Sequence, residues 1–179
     1  MQNIFKYFFF LLVACFVASC KQPTYQPTFA VCRSISEFPV IAAAGYDYVE
    51  ASVSGFLVPG QNDSAFQVNL EQMKQLGAKV ISCTSFIPGE LKITGPETRH
   101  DEIIVWAETA FRRAQMANMP YIVLGSGGAR RIPEGFDKQI ATQQFIEVCK
   151  RMAPLAQKYD VVVVVEPLNK GETNFINSL

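Results

Sequence analysis

A carboxylate that follows a run of valines is the first feature of this sequence that could do chemistry. The five residues 161–165 are all valine, the pattern of a parallel strand buried on both faces. Pro167 cannot donate to a sheet, so strand pairing should fade there and Glu166 should lie where the strand ends. A carboxylate is costly to desolvate at that position unless a cation, a partner or water meets it. Glu166 is therefore a candidate, because α/β proteins place their chemistry at this end of the strands.

Two further carboxylates could act with Glu166. Glu50 lies near the end of the second predicted strand, and Glu172 follows in the loop after Glu166. Side chains alternate along a strand, so Val162, Val164 and Glu166 share a face. If that face lines a barrel, Glu166 projects into its mouth and Glu172 could turn back over it. Two carboxylates with a divalent cation and a substrate would form an acid/base site. Spacing leaves one alternative equally open: Glu166 pairs with a basic group and Glu172 is solvated.

The glycine-rich segment 125–130 follows the fourth predicted strand. It lacks the Gly-Lys-Ser/Thr ending of a phosphate loop and the third glycine of a dinucleotide fingerprint, so we interpret it as a tight turn. Arg130 and Arg131 could reach an anionic or hydroxylated substrate from this turn. His100 is the only histidine, so the sequence excludes a histidine-rich metal cluster. We interpret His100 as a surface residue near the start of a helix.

The elements that would position these residues alternate strictly. The predicted strands are 29–34, 46–52, 79–86, 121–125 and 161–165, and the predicted helices are 35–44, 64–76, 98–118 and 136–159. A further helix is expected from Thr173 or Asn174. Alternation predicts a parallel sheet with right-handed crossovers. An open doubly wound sheet and the first five units of an eight-unit barrel both satisfy it.

The N-terminal segment predicts export. Residues 1–20 have the pattern of a signal peptide, and Val-Ala-Ser-Cys20 resembles a bacterial lipobox; the alternative is an ordinary signal peptide. Lipid on Cys20 would anchor the protein to a bacterial membrane, facing the periplasm or cell surface, without spanning it. Residues 21–28 would form a tether and 29–179 the domain. Formal net charge is zero and no long basic run occurs, so nucleic acid is not an expected partner.

Cys32, Cys83 and Cys149 remain after the signal segment and Cys20 are set aside. Cys32 and Cys83 fall on the first and third predicted strands, about 9.5 Å apart in sequential parallel order. This separation exceeds the reach of a disulfide, so we expect free thiols.

The segment Glu166-Pro-Leu-Asn-Lys-Gly-Glu172-Thr-Asn-Phe-Ile-Asn resembles the Glu-Pro-Leu-Asn-Arg-x-Glu segment of the sugar phosphate isomerases/epimerases. These proteins belong to the xylose-isomerase-like TIM barrels, with the tagatose and psicose 3-epimerases. Residues 45–50 and 122–130 are also similar to that group. The resemblance implies that this chain carries the N-terminal five β/α units of a (β/α)8 barrel.

The resemblance also implies a site and a reaction. A single divalent metal (Mn, Mg or Co) would be held in part by Glu166, which would also be one of two acid/base carboxylates. Glu172 would contact a sugar near its carbonyl end, and we expect Glu50, Asn169 and Arg130 to bind substrate. The reaction would remove a proton beside a carbonyl, with the metal stabilising the enediolate, and return it to the same or the adjacent carbon.

The family draws its other metal ligands from strands six to eight, which this chain does not contain. We therefore expect the 179-residue chain, as part of a longer protein, to be inactive and prone to aggregate when expressed alone. A non-catalytic sugar-binding lipoprotein on the same scaffold is the alternative. An abasic-site endonuclease relative is disfavoured by the single histidine, the neutral charge and export.

Overall fold

The computed structural model describes residues 27–178, and these form one parallel sheet with helices on one side. The strands are β1 Ala30–Cys32, β2 Tyr48–Ser52, β3 Lys79–Thr84, β4 Tyr121–Leu124 and β5 Val162–Val165, hydrogen-bonded in that order. The helices are α1 Phe38–Ala43, α2 Asp63–Leu76, α3 His100–Met116, the short α4 Gly127–Arg130 and α5 Lys138–Lys158. Each strand pairs only with its sequence neighbour, which is the order of consecutive β/α barrel units.

Local sequence signals start and stop the helices. The Asn62 side chain accepts a hydrogen bond from the Ala65 amide at 3.1 Å and so caps α2, which ends at Gly77 with φ of 66°. Asp137 caps α5 in the same way, through the Ile140 amide at 2.9 Å. These caps fix where each helix begins relative to the preceding strand.

The core lies between the sheet and the outer helices. Strand side chains such as Val49, Cys83 and Ile122 are fully buried there, together with Phe66 and Phe111. The amphipathic stripes predicted for the helices therefore face the sheet, and this packing holds the carboxyl ends of the strands in register.

The inner face of the sheet corrects one expectation. Val162 and Val164 are 55% and 42% exposed, and Tyr121 of the neighbouring strand is 42% exposed. The prediction that the valine strand is buried on both faces is therefore wrong for its inner face. Only the outer face, with Val161 and Val163, packs against the core that the long helices cover.

Residues 166–178 form turns, so the helix predicted from Thr173 or Asn174 is not present in the described chain. The Asn174 side chain bonds both the amide and the carbonyl of Ile132, each at 2.9 Å, and these bonds join the segment to the loop after α4. The predicted tight turn at 125–130 contains the short helix α4.

The three cysteines of the described residues are free thiols, and β2 separates Cys32 from Cys83. The predicted signal peptide, Cys20 and most of the tether lie outside the described residues. No helix within residues 27–178 is long and apolar enough to cross a membrane.

Candidate active site at the carboxyl ends of the strands

A cavity of about 390 Å³ opens where β3, β4 and β5 end, and both Glu166 and Glu172 line it. The rest of its wall is made of small, hydroxylated and apolar residues from the loops that follow the strands: Ser54, Thr84, Ser85, Ile87, Pro88, Gly89, Gly125, Ser126, Gly127, Gly128 and Leu168. The structure therefore brings together the two carboxylates of the motif at the predicted end of the sheet. We refer to this space as the Glu166 cavity.

Glu166 is held in place by the sheet and by a glycine. Its amide donates to the Leu124 carbonyl at 3.3 Å, so strand pairing continues up to this residue and stops before Pro167. The carboxylate lies over Gly125, where a Cβ atom would come within 2.5 Å of Oε2. A side chain at position 125 would displace the carboxylate, so the glycine is needed for this close approach.

The Glu166 carboxylate forms no ion pair or hydrogen bond with the residues that the structure describes. The alternative in which Glu166 pairs with a basic group is therefore not what residues 27–178 show. A half-buried carboxylate without a protein partner is available to a ligand in the cavity, and binding would compensate for its partial desolvation.

Glu172 is ordered by the loop that carries it. Asn169 donates to its carboxylate from both the backbone amide, at 3.3 Å, and the side-chain amide. The Asn169 Oδ1 atom accepts from the Gly171 amide at 2.9 Å and thereby closes an Asx turn. Asn169 is exposed and does not line the Glu166 cavity, so the structure places it where it orients Glu172.

Arg130 is fully buried instead of open to the cavity. Its Nη1 donates to the Leu124 carbonyl at 3.1 Å, and its Nη2 donates to the carbonyls of Glu166 and Ile176 at 2.8 and 3.4 Å. Burial lowers the pKa of the guanidinium from its ordinary value, while the charges of Glu166 and Glu172 act in the opposite direction. This arrangement favours a positioning role for Arg130 over the direct substrate contact expected from the sequence.

Glu50 lies apart from the Glu166 cavity. It lines a second cavity of about 280 Å³ at the ends of β1 and β2, together with Cys32 and Arg33. A register shift between β2 and β3 places Glu50 opposite Ser82, whose hydroxyl donates to the carboxylate at 2.6 Å. Burial and then the Glu50 charge raise the pKa of the Cys32 thiol. The structure therefore does not bring Glu50 together with Glu166 and Glu172 on one cavity.

Two serines in the cavity wall were not singled out by the sequence. Ser85 and Ser126 have φ angles of 55° and 43°, in the left-handed region that ordinary side chains rarely adopt. The Ser126 hydroxyl accepts from the Ile87 amide at 2.8 Å, which joins the loops after β3 and β4. Ser126 directly follows the predicted strand 121–125, whereas Ser85 falls within the predicted strand 79–86. The backbone strain is a tertiary property, so no sequence signal marked Ser85 beyond its place near a strand end.

The residues present do not by themselves fit a divalent metal. Within residues 27–178 no group of three or more histidine, cysteine, aspartate or glutamate side chains is arranged to hold one. Glu166 could supply one oxygen ligand, whereas a metal of this type takes several. The described chain therefore supports a carboxylate site, and no catalytic step is assigned to a metal here.

Consecutive parallel β/α units with carboxylates at the carboxyl ends of the strands define this chain as a section of a TIM-barrel-type protein. The family model described as xylose isomerase-like TIM barrel matches residues 38–179. The chain belongs to that family, as its motifs suggested. No curated protein sequence matches the chain.

Solved structures agree with the fold. A D-psicose 3-epimerase from Clostridium cellulolyticum H10, with D-tagatose, superposes with a TM-score of 0.67 at 16% identity and covers 83% of this chain and 51% of its own. A D-allulose 3-epimerase from Methylomonas sp. with D-allulose superposes with a TM-score of 0.57 at 19% identity, and the match covers 81% of this chain and 49% of the epimerase. A 3-keto-D-glucoside 4-epimerase from E. coli superposes with a TM-score of 0.57 at 16% identity, and the match covers 80% of this chain and 54% of that epimerase. The chain thus spans about half the length of the structures that it matches.

Proposed function

We propose that this chain is the N-terminal portion of a sugar isomerase or epimerase, and that Glu166 transfers a proton beside the sugar carbonyl. The observation that carries the proposal is the Glu166 carboxylate, which lies in a cavity at the carboxyl ends of the strands without a partner among residues 27–178. The three solved structures named above are epimerases of sugars or of a keto-glucoside, which supports the same reaction type.

The chemistry follows from the position of the carboxylate. A base that removes a proton from the carbon beside a carbonyl leaves an enediolate, and the proton can return to the same carbon or to the next one. Glu166 would accept this proton and return it to the adjacent carbon in an isomerisation. Inversion of the same carbon would also need a second acid/base group on the opposite face of the enediolate, supplied from outside residues 27–178. Glu172 and the hydroxyls of Ser85 and Ser126 would hold sugar hydroxyl groups in the same cavity. Because Arg130 binds the Glu166 carbonyl, it would fix the backbone from which the carboxylate acts.

A divalent metal is part of this proposal only as a further component. When bound, such a metal would supply Lewis-acid chemistry at the sugar oxygens. We propose that Glu166 supplies one ligand and that the other ligands come from outside residues 27–178. Accordingly, manganese titrated into the 179-residue chain should give no saturable calorimetric signal, whereas tight binding would contradict this division of ligands.

The cavity favours a sugar without a phosphate group. No lysine or arginine is among the residues that line it. Two cations lie nearby, but Lys92 donates to the Gly128 carbonyl at 3.1 Å and Arg131 donates to the Glu172 carbonyl at 2.7 Å. Two carboxylates without a cation would repel a phosphate dianion and would accept hydrogen bonds from sugar hydroxyl groups.

We propose that the protein is exported and tethered by lipid on Cys20, as the N-terminal motif predicts. An exported enzyme meets free sugars more readily than phosphorylated ones, which agrees with the cavity. Metabolic labelling with a palmitate analogue tests this proposal. Incorporation into the wild-type chain and its loss in Cys20→Ala are expected, and equal labelling of both would contradict it.

The function is tested in the polypeptide translated from the DNA that encodes and continues past residue 179. The wild type should exchange solvent deuterium into the carbon beside the carbonyl of a ketohexose. Glu166→Gln, which keeps the shape and removes the base, should reduce the rate by about 100-fold or more with sugar binding retained. Binding without exchange in the wild type would instead favour the non-catalytic sugar-binding lipoprotein.

A further inference from the structure

A further concave surface, separate from the cavity that Glu50 lines, lies beside the Glu166 cavity and is built around Trp106. This groove has a volume of about 450 Å³, and its apolar floor includes Pro59, Pro88, Val105 and Trp106. Glu90 stands at its rim. The groove belongs to the same end of the molecule, since it lies between the loops that follow β2 and β3 and the first turns of α3. No part of the proposed proton transfer uses it.

Trp106 is held rigidly. Its indole N–H donates to the Phe86 carbonyl at 2.9 Å, so the polar edge of the ring is satisfied inside the protein. On another edge, a Cβ atom at Gly60 would come within 3.2 Å of the ring, which shows how closely the 59–60 turn packs on it. The half-buried ring therefore presents apolar surface to the groove in one orientation, at little further cost in side-chain entropy.

The charges at the rim are not equivalent. Asp101 pairs with Arg151 at 2.7 Å, and Glu102 pairs with Arg99 at 2.6 Å. Glu90 is exposed and forms no ion pair with the described residues. Its oxygens are available as hydrogen-bond acceptors next to the aromatic floor.

Pro88 lines both the groove and the Glu166 cavity, so the two spaces are adjacent across a single residue. A ligand that occupied both spaces would cross Pro88 to reach the indole. The ligand chemistry follows from the lining: a pyranose ring has an apolar C–H face that suits the tryptophan and hydroxyl groups that can donate to Glu90.

We propose that the groove is a second sugar subsite and that the substrate is a glycoside whose reacting ring occupies the Glu166 cavity while the neighbouring ring lies on Trp106. The proposal rests on the proposed function for the reacting ring. Binding of the second ring depends only on the groove, so an experiment can reject the sugar subsite and the proposed reaction independently of each other.

The single tryptophan of the sequence makes the groove directly observable, because all indole emission comes from Trp106. The full chain is studied in a zwitterionic detergent without a sugar headgroup and is titrated with isomaltulose, a glucosyl-fructose that keeps its free ketone. D-fructose is the one-ring control, and sorbitol corrects for general solute effects. We expect a saturable change in emission with isomaltulose at concentrations about tenfold lower than with fructose.

Variants separate the subsite from the reaction. Glu90→Gln should weaken isomaltulose binding about fivefold, whereas Glu102→Gln, a rim carboxylate that is already paired, should change it less than twofold. Trp106→Ala, followed by ligand-observed NMR, should remove the advantage of isomaltulose over fructose, and Trp106→Phe should keep part of it. Equal affinities for the two sugars, or no saturable change beyond that of sorbitol, would overturn the subsite. Saturation in a protein that never exchanges deuterium would keep the subsite and overturn the proposed reaction.

Discussion

At the scale of single residues, the site depends on which side chains remain free of protein partners. Glu166 and Glu172 were both predicted from the motif, and the structure places both on one cavity. Arg130 shows what the sequence could not indicate. Its carbonyl partners come from residues 6, 36 and 46 positions away, so only the fold reveals that both terminal nitrogens already donate to carbonyls.

Gly125 provides a residue-scale test of the position of Glu166. Gly125→Ala should push the carboxylate away, because the new Cβ would lie 2.5 Å from Oε2, and should weaken sugar binding about tenfold. Gly128→Ala is the matched control, since its Cβ would meet only the Gly89 Cα at 3.4 Å. Calorimetric titration with a ketohexose measures both variants, and equal effects would contradict the close approach of Glu166 to position 125.

At the level of secondary structure, the local hydrophobic patterns of the sequence predicted the strands and the principal helices. The path of residues 166–178 was not predictable in the same way. Its helix-like start is overridden by contacts to distant residues, namely the Asn174 bonds to Ile132 and the Arg130 bond to the Ile176 carbonyl. Tertiary contacts therefore decide the conformation of the segment that carries Glu172.

Arg130 should be the residue that holds this segment to the sheet. Arg130→Met removes three side-chain hydrogen bonds and leaves the Glu166 carbonyl without a donor among the described residues. The Leu124 and Ile176 carbonyls keep the backbone amides of Glu166 and Leu168 as donors. The substitution should lower the free energy of unfolding by about 3 kcal/mol. Arg131→Met removes a single bond from an exposed side chain and should cost less than about 1 kcal/mol. Urea unfolding and hydrogen exchange at the Leu168 amide check the comparison, and similar losses in both variants would refute it.

The start of α2 carries a pH-dependent contact with α3. Arg112 and Arg113 donate to Asp63 at 2.7 and 2.8 Å, and these bonds lower the pKa of its carboxyl to about 2. A carboxyl whose pKa is lower in the folded than in the unfolded state adds stability above about pH 4 and loses it as the pH falls toward about 2.

The unfolding midpoint of the wild type should therefore fall more steeply between about pH 4 and pH 2 than that of Asp63→Asn. Asp47→Asn is the control, because Asp47 is exposed and forms no ion pair within the described residues. Parallel curves for the wild type and Asp63→Asn would show that the contact contributes nothing.

At the scale of the whole molecule, the open inner face of the sheet sets the behaviour of the chain. The strand pattern correctly predicted a buried outer face, but a valine run does not show what covers its other side. Val162 and Val164 remain exposed beside Tyr121, and one edge of β5 has no strand partner within residues 27–178. Exposed apolar side chains at an unpaired strand edge favour association between copies.

A charge on this face should reduce that association. Val164→Lys should lower light scattering of the chain without its first 20 residues by about half or more, because a charge opposes edge-to-edge contact. Val68→Lys is the matched control, since this valine is 68% exposed on the outer helix α2. If both lysines had the same effect, net charge and not the inner face would explain association.

Solvent deuterium exchange shows whether Glu166 moves a proton beside a sugar carbonyl. NMR would follow deuterium incorporation into a ketohexose for the 179-residue chain, for the longer translated polypeptide and for its Glu166→Gln variant. We expect exchange only in the longer wild type, with a loss of about 100-fold or more in the variant. Undiminished exchange in Glu166→Gln would contradict the assignment of this carboxylate.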